Sequence, residues 1–258
     1  MLERLQYIKL LPGRILDAGA GDGHGAARLA ESYADAQVLG LDFALPMLKA
    51  ARRRDPWLRR ILGRSRVDYL CADFAAVPLP AASVDLVWSN LALHCAGDPQ
   101  PAFKELRRVL KVGGLLMFSC YGPDTLKELK SAFAAHDAAE HVHRFIDMHD
   151  LGDMLSLCGY AAPVMDMEVI TLTYADIDAL LADLRATGQQ NANSERSRGL
   201  SGKGMLGALR AAYETLRRDG RLPASFEIVY GHAWKPEPRL SDDGRAIVRM
   251  PAPRSKGG

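Results

Sequence analysis

An open, mostly parallel α/β sheet of seven strands, with helices on both faces and a helical cap insertion, is the fold this sequence predicts. Three observations predict it. Up to Tyr121, short apolar runs alternate with amphipathic stretches, the pattern of successive strand–helix units. The first unit turns through a glycine loop, and three successive strands end in an acid. Beyond Tyr121, the helical stretches between the last two strands are too long for a simple crossover. They are expected to cap the strand ends, where ligands sit in open α/β sheets.

The first unit, Ile15 to Ala30, reads ILDAGAGDGHGAARLA. An apolar run ends in Asp17, passes Gly19, Gly21 and Gly23, and enters a stretch patterned for a helix. Such a strand, turn and helix aims backbone N–H groups at a ligand beside the helix N-terminus. A dinucleotide fingerprint would need G-x-G-x-x-G. Here the third glycine falls one residue early, and His24 stands where a small residue is wanted. The acid before Gly19 also suits a ligand with cationic groups better than a pyrophosphate. The D-x-G-x-G-x-G order resembles the first motif of class I S-adenosylmethionine (SAM) methyltransferases, which implies a Rossmann-like sheet and SAM as cofactor. The plain alternative is a tight turn with no ligand.

The following strands weaken that alternative. Val38 to Phe43, VLGLDF, is a second strand ending in Asp42, with Phe43 beside it and Pro46 placed to open a helix. An acid about twenty residues past the glycines is where a carboxylate holds a ribose diol. The third strand, VDYLCADF, leads to Asp73 and Phe74. In the methyltransferase pattern this acid–aromatic pair meets the adenine. VDLVWSNLALH, Val84 to His94, is a fourth strand ending in Asn90; PAFKELRRVLKVGGLLMFS then gives a helix, a Gly113–Gly114 turn and a fifth strand. Asp17, Gly19, Gly21, Asp42, Phe43, Asp73, Phe74 and Asn90 are thus the candidate cofactor residues.

The second half supplies the cap. Tyr121 to His136 reads as a turn and a helix with Asp124 as N-cap. DMHDLGDMLSLCGY is an amphipathic helix closed by Gly159, and VMDMEVITLTY a sixth strand. Asp176 to Ala186 and Met205 to Arg218 pattern as helices, and Phe226 to Trp234 alternates like a final strand. One methyltransferase domain over residues 1–236 is expected, with cap elements at 123–146 and 174–222. From Lys235 onward apolar periodicity is lost, and residues 237–258 are expected to be a disordered tail.

Composition sets the class. The 258 residues are 48% hydrophobic and 25% charged, enough for one substantial core. A formal charge of +2 makes no demand for nucleic acid. No apolar run reaches the roughly 18 residues of a spanning helix, and MLERLQYIKL has no signal-peptide pattern. The scattered Cys71, Cys95, Cys120 and Cys158 read as buried, reduced thiols of a cytoplasmic protein, without metal spacing. A monomer is expected.

The acceptor must be met by polar residues near the cap: Tyr121, Lys127, His141, His143 and Arg144. Arg144, between an imidazole and Phe145–Ile146, is the most suggestive, since a guanidinium forks well onto a carboxylate. No Ser/His/Asp set, two-carboxylate acid–base pair or metal site is recognisable, which fits an acceptor that needs no general base. Here the resemblance becomes specific. YGPDTLKEL, HVHRF, DMHDLGDML, DLRATGQQNAN and LPASFEIVYGHAW together resemble the BioC-type malonyl-acyl-carrier-protein O-methyltransferases of biotin synthesis, over nearly the whole chain to about Trp234.

That resemblance implies SAM-dependent methylation of the free carboxylate of a malonyl thioester, carried by acyl carrier protein or coenzyme A. Arg144, His141, His143 and Tyr121 would then be the catalytic set. Such enzymes carry an additional aromatic segment before the position of Met1 that closes over SAM. Its absence from this chain leads us to expect either a truncated start or a more open cofactor site. The same segments resemble mitochondrial complex I assembly factors, which keep the fold and hydroxylate an arginine on a partner; a SAM-binding scaffold without catalysis is the third alternative. A carrier protein presents an acidic helix, for which Arg52–Arg53–Arg54, Arg107–Arg108, Arg196 and Arg198, and Arg217–Arg218 are candidate contacts. Each run also reads as an ordinary solvated face.

Overall fold

The structure, a computed structural model, describes residues 1–54, 66–134, 145–187 and 203–238. Seven strands form one sheet: β1 (Arg14–Ala18), β2 (Gln37–Asp42), β3 (Val67–Cys71), β4 (Val84–Asn90), β5 (Leu110–Tyr121), β6 (Ala161–Tyr174) and β7 (Leu222–Trp234). Their order is β3-β2-β1-β4-β5-β7-β6. The pairs from β3 through β5 are parallel, and β7 runs antiparallel to both β5 and β6. The order reverses between β1 and β4, which opens a crevice at the carboxyl ends of those strands.

Among the described residues eight α-helices accompany the sheet: α1 (Leu2–Gln6), α2 (His24–Ser32), α3 (Leu45–Arg54), α4 (Gln100–Val109), α5 (Lys127–Ala134), α6 (Met148–Leu157), α7 (Ile177–Ala186) and α8 (Lys203–Glu214). Both faces are covered, as a parallel sheet requires. On one, Phe103, Leu106 and Val109 of α4 and Leu151 and Leu155 of α6 pack with Leu16, Leu39 and Leu116. On the other, Leu5 of α1 and Ala26, Leu29 and Ala30 of α2 pack with Ile15, Val38, Leu86 and Trp88. A third cluster joins Leu129, Leu180, Leu184, Leu209 and Tyr213 to Tyr121, Phe226 and Ile228. It is the cap, made by α5, α7 and α8 against the part of β7 that runs past the end of β5, where Tyr121 pairs with Ile228.

Helix ends follow local chemistry. The Asp147 side chain accepts from the His149 N–H to start α6, and Asp176 accepts from Ala179 to start α7. Gly159, at φ +83°, closes α6 with Tyr160 N–H to Leu155 O at 3.1 Å and Gly159 N–H to Ser156 O at 3.0 Å.

Several expectations need correction. Gly113–Gly114 is no turn before a strand: β5 starts directly after α4, and Gly113 (φ +74°) lies in a bulge between the pairs Val84–Leu110 and Leu86–Leu115. Asp124 does not cap α5, which begins at Lys127; its carboxylate lies 3.6 Å from the Lys127 ammonium. The helix expected to reach Arg218 stops at Glu214, because Asp219 and Gly220, both at positive φ, turn the chain so that Arg218 bridges Arg221. The last strand starts at Leu222, since Leu222 and Ala224 are buried in the cap. Cys120 and Cys158 are buried, but Cys71 and Cys95 are exposed. No described helix is long and apolar enough to cross a membrane. Of the expected tail, all but Glu237 and Pro238 lie outside the described residues.

Candidate active site

The carboxyl edge of the sheet carries the glycine loop. After Ala18 the Gly19 and Ala20 N–H groups both donate to Leu41 O of β2, at 2.8 and 2.9 Å. Gly19 sits at φ +86°, and a Cβ there would stand 2.2 Å from the Cβ of Ala92. Backbone conformation and space therefore both demand glycine. Gly23, left-handed at φ 80°, begins α2 without a side-chain cap, and a Cβ on it would meet the Tyr69 hydroxyl at 2.5 Å. The first turn of α2 lies at this edge, with its His24 N–H turned to Asp22 Oδ1 at 3.3 Å and its Ala26 N–H to Asp17.

Asp17 lies beneath that turn, 2% exposed. Burial, reinforced by the Asp42 charge and opposed by a hydrogen bond from the Ala26 N–H, pushes its carboxyl up to about 7. Its Oδ2 finds no hydrogen-bond partner among the described residues, and neither does Nε1 of Trp88, its register partner on β4. A Cβ on Gly25 would lie 3.0 Å from that Oδ2 and 3.6 Å from that Nε1. Two acids close together, one of them desolvated, make the edge negative and suited to a cationic group.

The other candidate cofactor residues line up along the same edge, because β3, β2, β1 and β4 are neighbours. Asp42 ties the loop to β2: one oxygen accepts from Gly21 N–H and the other from Ala44 N–H, both at 2.8 Å. Phe43 is 72% exposed. Asp73 is exposed and accepts from Ala75 N–H at 2.8 Å, while Phe74 packs partly on the core. Asn90 is exposed, and its Oδ1 accepts from the Ser119 hydroxyl at 2.8 Å.

The acceptor candidates gather elsewhere. Tyr121, at the end of β5, is buried among rings: His94 at 4.7 Å between centroids, Phe145 at 5.5 Å and Phe226 at 6.0 Å. Lys127 is paired with Asp124 on the surface; among the described residues Lys130 reaches this cluster, 5.7 Å above the Phe145 ring. Arg144, His141 and His143 lie outside the described residues. Of the basic runs, Arg54 pairs with Asp22, Arg107 donates to Gly159 O at 2.9 Å, Arg108 binds Glu105, and Arg217 binds Glu214. Arg196 and Arg198 also fall outside.

Sequence reasoning missed three residues. His94 follows Asn90 by one helical turn's worth of chain, in the short 3₁₀ segment Leu93–Cys95, and its place after a strand that ends at the site was the available signal. Glu227, buried on β7, accepts from Asp124 N–H at 2.7 Å, while its main chain exchanges hydrogen bonds with Thr125 Oγ1 at 3.1 and 3.2 Å. Glu128 similarly binds the Ser225 N–H at 3.0 Å and hydroxyl at 2.6 Å. The loop after β5 is strapped to β7 by these contacts; no local pattern announces them.

With this geometry in view, similarity to known proteins decides the family. A methyltransferase domain family matches residues 16–118. The malonyl-(acyl-carrier protein) O-methyltransferase of Gallionella capsiferriformans is 54% identical over 96% of this chain and 86% of its own length. The chain belongs to the malonyl-(acyl-carrier protein) O-methyltransferase family. A second member, from Methylovorus sp., is 50% identical over 97% of this chain and 85% of its own. Among solved structures the YcgJ protein of Bacillus subtilis shares the fold, with a TM-score of 0.62 at 19% identity over 91% of this chain and 97% of that one. Membership in this O-methyltransferase family favours carboxylate methylation over the assembly-factor alternative.

Proposed function

We propose that this protein methylates the free carboxylate of malonyl-acyl-carrier protein with SAM, a step that masks the acid in biotin synthesis. The observation that carries the proposal is the 54% identity, over nearly the whole chain, to a relative of that name. The edge geometry fits the cofactor. The Asp17–Asp42 pair suits the ammonium and sulfonium charges, at the positive end of the α2 dipole. Asp42 keeps a lone pair on each oxygen beyond its two backbone partners, as a ribose diol needs. In this reading Gly19 and Gly21 let the loop approach the cofactor, Phe43, Asp73 and Phe74 flank the adenine, and Asn90 faces the methionyl end.

Bound SAM supplies a methyl group on a sulfonium, whose sulfur keeps the bonding pair as the new O–CH3 bond forms. The chain's own work is alignment and exclusion of water. A carboxylate is already ionised and nucleophilic at neutral pH, so no residue has to remove a proton. Tyr121, Phe145 and Phe226 give the acceptor a wall of low polarity, which favours a step that cancels two opposite charges. Arg144 orients the carboxylate through a single-oxygen contact, because a tight fork would blunt the nucleophile. His141 and His143 share its short segment, and Tyr121 borders the acceptor. Correct alignment is worth up to about 7–11 kcal/mol.

The proposal takes the enzyme as a cytoplasmic monomer of one domain, with malonyl coenzyme A as the rival acceptor. The test is transfer of label from methyl-labelled SAM to malonyl-acyl-carrier protein, malonyl coenzyme A and an arginine-containing peptide. A base-labile methyl ester on the malonyl group is the expected product. No S-adenosylhomocysteine with either thioester, or a modified arginine, refutes the proposal.

A further inference from the structure

The turn after β4 joins the two halves of the site. At one end, Ala92 fills the space beside Gly19 so fully that a Cβ on that glycine would stand 2.2 Å from its own. At the other, Cys95, though exposed as a residue, has its thiol pushed up, first by local desolvation and then by the nearby Asp42 carboxylate. Between them the His94 ring joins the aromatic cluster. It packs 4.7 Å from Tyr121, tilted at 59°, and 5.7 Å from Phe145, edge-on at 77°. The turn is fixed from below: Leu91, at φ +51°, donates its N–H to the Ser119 carbonyl at 3.0 Å and to the Ser119 hydroxyl at 3.1 Å. One short turn thus joins the glycine loop, through Ala92, to the ring cluster at Tyr121, through His94.

We propose that His94 contacts the acceptor, its imidazole N–H donating to the malonyl carboxylate oxygen that is not methylated. The proposal rests on the reaction inferred above and names a residue for its acceptor side. The chemistry of the cluster calls for such a donor. Phe145 and Phe226 offer surface without hydrogen bonds, and a carboxylate taken out of water among them loses its hydration. An imidazole N–H returns one hydrogen bond, fixed in direction by the packing of its ring. A contact to one oxygen leaves the other to attack the methyl group. The Lys130 ammonium above Phe145 contributes positive potential from the same side. The donated proton stays on nitrogen throughout, and the only bonds that change are S–CH3 and O–CH3.

Two substitutions separate hydrogen bonding from packing. His94→Phe keeps a ring against Tyr121 and Phe145 and removes both nitrogens; His94→Gln restores an N–H donor. Methyl transfer to malonyl-acyl-carrier protein is measured for wild type and both variants, with SAM binding followed by calorimetry and folding by thermal melts. Inactive wild-type protein would refute the proposed reaction itself, whatever the variants do. With active wild type, His94→Phe is expected to lose about 10- to 100-fold in kcat/KM, the effect of removing a hydrogen bond to a charged group. Its SAM affinity should stay within about twofold, and His94→Gln should regain at least about tenfold over His94→Phe. Should His94→Phe not fold, His94→Leu replaces it as the donor-free variant. Activity of the donor-free variant within about threefold of wild type overturns the assignment. So does a loss of SAM affinity as large as the loss of turnover, or a His94→Gln variant no better than the donor-free one.

Discussion

Replacing Asp17 by Asn should stabilise this protein at neutral pH and weaken its hold on the cofactor. The carboxyl is pushed from 3.8 up to about 7, chiefly by burial. A group whose folded pKa is raised favours the folded state while it is protonated. That contribution is fully present below pH 3.8, where both states hold the proton, and is lost as pH rises through about 7, as the unfolded chain ionises first. The whole gap corresponds to on the order of 4 kcal/mol, of which roughly 2.5 kcal/mol is lost between pH 5 and pH 7.5. Asn does not titrate, yet it still accepts from the Ala26 N–H. The difference in stability between Asp17→Asn and wild type should therefore grow by roughly 2.5 kcal/mol over that interval, or about 5–10 °C in Tm for a chain this size. Melts of both proteins at pH 5 and pH 7.5, without ligand, measure it, and other titrating groups cancel in the difference. Parallel pH dependence in the two proteins would show that Asp17 is ionised in the fold at no cost, and would refute the reasoning. The same substitution removes a negative charge from beside the glycine loop, so SAM affinity should fall by about tenfold or more.

Three further outcomes are expected. Asp42→Ala takes the acceptor from the Gly21 and Ala44 N–H groups as well as from the ribose, and should weaken SAM by about 1–3 kcal/mol in calorimetry; unchanged affinity with the fold intact would remove the ribose role. Glu227→Ala leaves the Asp124 N–H and the strap between β5 and β7 without their buried acceptor, and should cost about 1–3 kcal/mol of stability. Its KM for malonyl-acyl-carrier protein should rise while SAM affinity holds, and equal losses at both sites would contradict that division. Arg144→Met should lower malonyl turnover by about 2–4 kcal/mol of transition-state stabilisation, read as kcat/KM, with SAM binding nearly unchanged; equal activity would remove the carboxylate-anchor role.

The fold and the cofactor edge were legible because their information is local. Asp17, Asp42 and Asp73 each follow an apolar run, and parallel pairing in register puts neighbouring strand ends side by side without further instruction. Gly113–Gly114 misled because a glycine pair signals a turn, whereas here the positive φ of Gly113 serves a bulge that pairs with the chain beyond β7: Gly113 N–H donates to Lys235 O at 2.8 Å. Asp124 had the residue type of an N-cap, but Leu126 at φ +56° delays the helix to Lys127. His94 was passed over because its meaning depends on Tyr121 and Phe145, brought to it only by tertiary structure.

The segments most diagnostic of the family, YGPDTLKEL and LPASFEIVYGHAW, touch each other. The Gly122 N–H donates to Glu227 O at 2.9 Å and the Leu126 N–H to Ser225 O at 2.6 Å, so the loop after β5 extends the pairing that β5 began. A Cβ on Gly122 would collide with the Glu227 carboxylate at 2.4 Å, which explains a glycine at a position whose φ is not positive. Neither segment can change alone without leaving a buried polar group unmatched. The cofactor end depends instead on β1, β2 and the Ala92 turn, and shares with the strap only the rigid middle of the sheet. Acceptor recognition can therefore be altered in β7 and the loop it holds while the SAM edge is left intact, and the residues between the two ends, His94 and Tyr121, are where a change should disturb transfer itself.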